Sequence, residues 1–142
     1  MLEKVAFWDS SVLIPLCITE LKSAQSESWF AQFQTAIWWA TPVEMVGALC
    51  RAEREGRISS AEYIQAKAKA QIIESNSQII LPGNPLRQQA CSFLEQFPLR
   101  TADALQLAAA MTWCEAKPKG NVFLSFDDRL RAAARALDFT IV

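Results

Sequence analysis

The segment Val5-Ala6-Phe7-Trp8, followed directly by Asp9, decides the fold class. It is a short apolar run with β-branched and aromatic residues that ends on an acid. Four further runs of four or five residues have the same β-branched or aromatic character, at 36–40, 78–81, 122–125 and 139–142. Most of them lack the polar alternation of a half-exposed strand. Such runs are typical of strands buried on both faces, which favours a parallel sheet covered by helices.

Segments with helical patterns separate these runs. Residues 86–97 carry one apolar stripe, residues 59–74 alternate alanine and isoleucine with charged residues, and residues 102–114 are rich in alanine and leucine. Residues 127–137 predict a last amphipathic helix, and the cluster at 82–85 predicts a turn. Alternating strands and helices predict an α/β fold, with a small parallel sheet flanked by helices in three layers. Because no linker or repeat divides the sequence, we expect residues 1–142 to form a single domain.

The composition excludes several classes of chemistry. The chain of 142 residues contains no histidine, so a Ser-His-Asp triad, a histidine general base and a histidine-ligated zinc site are impossible. The net charge of −1 is too balanced for a protein that binds nucleic acid by bulk charge alone. Four glycines without a GxGxxG or GxxxxGK pattern argue against a Rossmann or P-loop phosphoryl-transfer enzyme.

Cysteine usage and hydropathy bear on location. The four cysteines form no CxxC pair and have apolar neighbours, which predicts reduced core residues in a cytoplasmic protein. Acidic residues interrupt the apolar N-terminal segment, which argues against a signal peptide. The longest uncharged run, residues 28–43, has 16 residues, fewer than the roughly 20 apolar residues of a spanning helix. We therefore expect no membrane partner.

Four carboxylates follow the predicted strands or open the helices after them. Asp9 ends the first strand, Glu44 lies early in the helix after the second, Asp103 opens the alanine-rich helix, and Asp127 follows the fourth strand. Ligands of such sheets bind at the carboxyl ends of the strands, so these side chains are predicted to converge there.

Each acid also has a purely structural interpretation. Thr41 and Glu44 match a capping box, Asp103 would stabilise a first helical turn, Asp127 would be an N-cap, and Asp9 would be a turn residue. Capping does not explain convergence, however, since clustered carboxylates repel one another and raise each other's pKa values. A hard divalent cation relieves that repulsion. Without histidine, an all-oxygen Mg²⁺ or Mn²⁺ site is the metal site this sequence best supports. One or two such ions can activate a water molecule and stabilise the leaving oxygen of a phosphodiester.

At these acids the sequence resembles the PIN-domain ribonucleases, and within them the VapC-type toxins of toxin–antitoxin pairs. The similar segments are FWDSS at 7–11, TPVEM at 41–45, LRTADALQLA at 99–108 and FLSFDDRL at 123–130. The resemblance spans almost the whole chain. It implies a PIN fold, a Mg²⁺- or Mn²⁺-dependent endoribonuclease that cleaves RNA, and a cognate antitoxin partner.

Carried over by position, the resemblance implies an acidic quartet of Asp9, Glu44, Asp103 and Asp127. Asp9 and Asp103 would be the principal metal ligands, with Glu44 and Asp127 completing the site directly or through water. The positions ranked lower are Ser10 and Ser125, which would flank the site, and Asp128, which competes with Asp127 for the fourth role. Gln106 stands where many relatives have histidine, a difference we expect to leave the metal unaffected.

Positive residues near the acids are candidate RNA contacts. Arg51 and Arg54 recur on the helix that carries Glu44, and Arg100 precedes Asp103. A phosphate-binding role for them competes with pairing to neighbouring glutamates on a solvated face.

An apolar stretch predicts a protein partner. Residues 12–18, with Trp29, Phe30 and Phe33, provide more apolar surface than one small core obviously needs. We expect this stretch to form a homodimer contact or an antitoxin-binding groove.

Two other functions remain open. A PIN nuclease of housekeeping RNA processing would have no antitoxin gene beside its own. A catalytically silent PIN-like module would bind RNA or protein and take up no metal.

Overall fold

A computed structural model describes residues 4–142, and a four-stranded parallel sheet lies at its centre. The strands are β1 (Val5–Trp8), β2 (Gln34–Trp38), β3 (Gln78–Ile80) and β4 (Val122–Leu124). Their spatial order is β3-β2-β1-β4. Since β1 pairs in parallel with both β2 and β4, its carboxyl end has a neighbouring strand end on either side.

Seven helices in this part of the chain cover the two faces of the sheet: α1 (Ser10–Cys17), α2 (Ser23–Phe30), α3 (Thr41–Arg54), α4 (Ser60–Ser75), α5 (Asn84–Gln96), α6 (Thr101–Trp113) and α7 (Asp128–Ala136). Phe7 and Phe123 face a core built with residues of α5, α6 and α7. Trp8 and Leu124 face the opposite core, built with residues of α1 to α4. The fold is therefore α/β with helices on both sides of a parallel sheet, as the sequence predicts.

The predicted strands and helices lie close to their observed positions, apart from the C-terminal segment, whereas α1 and α2 were not predicted from the sequence. The prediction of a fifth strand at 139–142 is wrong, because only two isolated bridges form there, Lys119 with Phe139 and Val122 with Thr140. These bridges run in opposite senses, so they cannot continue as one ladder. Phe139 instead packs its ring against Phe123, with ring centroids 5.6 Å apart. Core filling explains the apolar character of Phe139, whereas Val142 is 49% exposed.

The cysteines are all free thiols, but only Cys17 is buried. Cys91 is exposed, and Cys50 and Cys114 are intermediate, so the prediction that all four are core residues is wrong. Each cysteine lies on or directly after a helix. Residues that are neighbours in the sequence of a helix point to different sides of it, so a cysteine beside apolar residues need not share their burial. Within residues 4–142, no helix is long and apolar enough to cross a membrane.

Candidate metal centre

Asp9 lies at the centre of the carboxyl edge of the sheet. It follows β1, and its backbone N–H donates to the carbonyl oxygen of Leu124 on β4 at 2.9 Å. This places Asp9 beside Ser125, the residue that follows β4. The Asp9 side chain is only 3% exposed, and its Oδ2 accepts hydrogen bonds from Ser125 Oγ at 2.9 Å and Ser11 Oγ at 2.6 Å. Two hydroxyls therefore orient a carboxylate that is buried away from water.

The same two hydroxyls hold the loop that follows β4. Ser11 Oγ accepts from the backbone N–H of Phe126 at 3.0 Å, and Ser125 Oγ accepts from that of Asp127 at 3.0 Å. Ser125 was among the sequence candidates, whereas Ser11 was not. The FWDSS segment contains two serines, and only the three-dimensional arrangement assigns the second to Asp9 and the first, Ser10, to Glu44.

Glu44 does not cap its helix. The N-cap position of α3 is Ala40, so Glu44 is the fourth helical residue and lies one position beyond the site of a capping glutamate; the helix start has no side-chain capping bond. The capping-box interpretation is thus wrong. Glu44 Oε2 accepts from Ser10 Oγ at 3.1 Å, and its Oε1 accepts from Gln106 Nε2 at 2.9 Å. Position 106 therefore contacts one of the four acidic residues, and its effect on a bound metal stays a prediction.

Asp103 and Asp127 line an open cavity of about 310 Å³, together with Arg100, Asp128 and Arg129. Asp103 lies in the first turn of α6. Asp127 is the N-cap of α7, with its Oδ1 accepting from the N–H of Leu130 at 2.8 Å, so its structural interpretation is confirmed. The cap uses Oδ1 of Asp127, and the residue lines the cavity as well.

Burial raises the pKa values of three of these acids, and repulsion from neighbouring acids adds to the rise for Glu44 and Asp103. Burial is the main cause of the raised pKa of Asp9, against the lowering effect of the Ser11 and Ser125 hydroxyls. The pKa of Glu44 rises to about 7 through burial and then the negative charge of Asp9. The pKa of Asp103 rises to about 6 through burial, then Asp9 and Asp127, and Arg100 opposes the rise. Asp9, Glu44 and Asp103 therefore lie within electrostatic range of one another, and Asp127 lies within range of Asp103.

In the described part of the chain, no basic side chain forms an ion pair with these acids. Over residues 4–142 the only ion pair within 4.0 Å joins Arg57 and Glu55, far along the chain from the sheet edge. Across that same span, no three histidine, cysteine, aspartate or glutamate side chains are grouped so that they could hold a metal by themselves. The site thus combines unpaired negative charge with an incomplete set of protein ligands.

The remaining predicted residues lie at different distances from this edge. Arg100 is at the cavity, and Asp128 lines it as Asp127 does. Arg51 and Arg54 are exposed on α3, seven and ten residues beyond Glu44. At about 1.5 Å per residue they lie roughly 10 and 15 Å further along the helix axis. They stay candidate RNA contacts, but for phosphates away from the acids.

The apolar stretch predicted to bind a partner is largely core. Val12, Leu13, Cys17, Trp29 and Phe33 are buried, so packing against the sheet accounts for most of its apolar surface. Part of the rest borders a groove of about 290 Å³, which is lined by Leu16, Glu27, Phe30, Lys69, Ile72 and Ile73.

Comparisons with known proteins identify a similar fold. No family model matches the sequence, and no curated protein matches it. Among solved structures, a chain of a "Toxin-antitoxin complex from Klebsiella pneumoniae" aligns with a TM-score of 0.61 and 19% sequence identity. The alignment covers 89% of this chain and 90% of that chain. At this identity the similarity establishes the fold.

Proposed function

We propose that this protein is a Mg²⁺- or Mn²⁺-dependent endoribonuclease and the toxin of a toxin–antitoxin pair. The observation that carries the nuclease part is the group of buried and half-buried carboxylates that raise one another's pKa values, with no ion pair to any of them within residues 4–142. A protein gains nothing in stability from such a group unless a positive ligand compensates it.

The residues fit a hard divalent cation in donor type and charge. Asp9, Glu44, Asp103 and Asp127 offer only oxygen donors, which Mg²⁺ and Mn²⁺ prefer. The incomplete ligand set is also compatible, because Mg²⁺ is commonly held by one or two carboxylates and keeps several waters for exchange with substrate phosphates. We propose Asp9 and Asp103 as direct ligands, with Glu44 and Asp127 acting through water. A bound ion would lower the pKa of a water nucleophile and stabilise the leaving oxygen.

The chain's own residues would bind and orient the RNA. Arg100 and Arg129 line the same cavity as Asp103 and Asp127, and neither makes an ion pair in residues 4–142. Their guanidinium groups are thus free to hold a phosphate at the cavity mouth. Ser11 and Ser125 keep the Asp9 carboxylate fixed while substrate binds. The choice of RNA over DNA rests on the resemblance to PIN ribonucleases.

RNA cleavage by the purified chain tests the nuclease proposal. We expect cleavage with Mg²⁺ or Mn²⁺, no cleavage with EDTA, and loss of cleavage in Asp9→Asn. Asp138→Asn makes the same chemical change at the end of α7 and should cleave normally. A silent binding module would predict no cleavage and no Mn²⁺ binding by well-folded protein, and that result would contradict the proposal.

The toxin assignment is supported by the sequence resemblance and by the fold shared with a chain of a toxin–antitoxin complex. We propose that an amphipathic antitoxin segment docks in the groove of about 290 Å³ between α1, α2 and α4, where apolar side chains lie between Glu27 and Lys69. Both would act in the cytoplasm, where the RNA is. Ile72→Asp should prevent complex formation with the product of the neighbouring gene. Ile64→Asp, on the same helix but outside the groove lining, should not. A neighbouring gene without a binding product would favour housekeeping RNA processing.

A homodimer is part of the proposal. Three apolar side chains are exposed on one part of the surface: Trp39 (55%), Val43 (70%) and Leu81 (67%). The backbone N–H of Trp39 donates to the carbonyl oxygen of Ile80, the residue before Leu81. This apolar surface lies apart from the stretch in which the sequence suggested a dimer contact. Light scattering of the wild type should give twice the mass of one chain, and light scattering of Val43→Asp should give the mass of a single chain. A wild-type protein with the mass of a single chain would contradict the dimer.

A further inference from the structure

Gln106 is a polar residue in a place that packing alone would fill with an apolar one. It is fully buried on α6, and the other buried residues of that helix are Ala104, Leu107 and the run 108–110, all alanine or leucine. Leucine at position 106 would suit both the helix and the core.

The amide of Gln106 connects two helices at the acidic edge. Its Nε2 donates to Thr41 Oγ1 at 3.0 Å and to Glu44 Oε1 at 2.9 Å, and Thr41 is itself fully buried. Both protons of the amide are therefore used, one on a fixed hydroxyl and one on the carboxylate. The bond to Thr41 fixes the orientation of the amide, and the amide in turn restricts the carboxylate.

The carbonyl end of the same amide is unsatisfied. Gln106 Oε1 is buried and has no hydrogen-bond partner among the residues that the structure describes. A buried polar atom without a partner lowers stability, and departures of this kind are expected at functional sites. Gln106 is thus poorly explained as a stabilising core residue.

The chemistry of the amide suits a carboxylate that must keep its charge. A lysine or arginine at this position would pair with Glu44 and cancel the charge that attracts a cation. The neutral amide donates one hydrogen bond to Oε1, while Ser10 donates to Oε2 from the opposite side. Glu44 is held by two neutral donors from α1 and α6.

We infer that Gln106 is a positioning residue, which fixes the Glu44 carboxylate so that it completes the divalent-cation centre. This inference rests on the proposed metal centre. Residues that orient metal-associated carboxylates through hydrogen bonds typically change metal affinity or activity 10- to 100-fold when they are replaced.

The test is Mn²⁺ affinity, measured by titration calorimetry on the full chain without RNA. Gln106→Met keeps the length and burial of the side chain and removes the donor, and we expect it to weaken Mn²⁺ binding at least about 10-fold. Leu107→Met makes the matched change at the next buried position of α6 and should bind Mn²⁺ as the wild type does. Thr41→Val removes only the hydroxyl that orients the amide and should weaken binding by a smaller factor; this variant also serves if Gln106→Met does not fold.

A double-mutant cycle separates positioning from a general structural effect. If Gln106 acts through Glu44, Gln106→Met should have little further effect on Mn²⁺ affinity once Glu44→Gln is present. The same fold-loss in both backgrounds, or wild-type affinity in Gln106→Met and Thr41→Val, would overturn the inference while leaving the metal centre intact. A wild-type chain that binds no Mn²⁺ would instead refute the metal centre and this inference together.

Discussion

Replacing Glu44 with glutamine should stabilise the metal-free protein at pH 8 and have little effect near pH 4.5. In the folded protein the pKa of Glu44 is raised from its ordinary 4.5 to about 7, chiefly by burial and then by the charge of Asp9. Because the folded pKa is the higher one, the stability associated with the protonated form is complete below about pH 4.5. It is lost as the pH rises through about 7, where the folded protein must ionise this group.

The size of the effect follows from the shift. At about 1.4 kcal/mol per pKa unit the ionised form would be disfavoured by roughly 3 kcal/mol. Since Glu44 is partly exposed, solvent screening reduces this to on the order of 1–2 kcal/mol. For a chain of this length that is a rise in Tm of roughly 3–8 °C for Glu44→Gln at pH 8.

The assay is thermal unfolding in EDTA at pH 4.5 and pH 8, followed by circular dichroism. Glu62→Gln is a matched control with the opposite sign, because the pKa of Glu62 is lowered by its hydrogen bonds to Ser59 at the start of α4. The ionised Glu62 side chain therefore stabilises the folded protein above the ordinary pKa of glutamate, and this stabilisation is lost as the pH falls. Glu62→Gln should not raise the Tm at pH 8. An equal loss of stability at both pH values in Glu44→Gln would refute the reasoning about Glu44.

Three further predictions concern the same edge of the sheet. Mn²⁺ at 100 times its Kd should stabilise the wild type by about 2.7 kcal/mol in thermal unfolding, and Asp9→Asn should lose this stabilisation; an equal gain in Asp9→Asn would contradict Asp9 as a ligand. Ser125→Ala removes the hydroxyl bound to Asp9 and to the Asp127 N–H, so urea unfolding should show a loss of about 1–2 kcal/mol; an unchanged midpoint would count against that network. Asp127→Ala should lose about 1 kcal/mol of capping energy with or without Mn²⁺, whereas Asp127→Ser should keep the cap and weaken Mn²⁺ binding alone; full Mn²⁺ affinity in Asp127→Ser would reduce Asp127 to a cap.

Local patterns were sufficient to predict most of the secondary structure. The run Val5–Trp8 is a strand at the predicted bounds, and the alanine-rich segment forms α6 over Thr101–Trp113. Strands buried on both faces and helices of high propensity are recognisable from short stretches of sequence, because the type of each residue depends on the surroundings of its own side chain. The segment 139–142 shows where this fails, since only Phe139 is buried there and an apolar residue can fill the core without belonging to a strand.

The sequence by itself determined the four strands of the sheet and the helices from α3 onward, the chemistry excluded by the missing histidine, and the placement of the acids at strand ends and helix starts. Only the tertiary structure decided which hydroxyl serves which acid: Ser11 binds Asp9, Ser10 binds Glu44, and Gln106 reaches Glu44 across 62 positions of the chain. Helix and strand propensities act between residues a few positions apart, whereas these hydrogen bonds join segments that meet only after the sheet and its helices have packed. The physical state of the acids follows from the same packing, because burial and proximity, which raise their pKa values, do not exist in the unfolded chain.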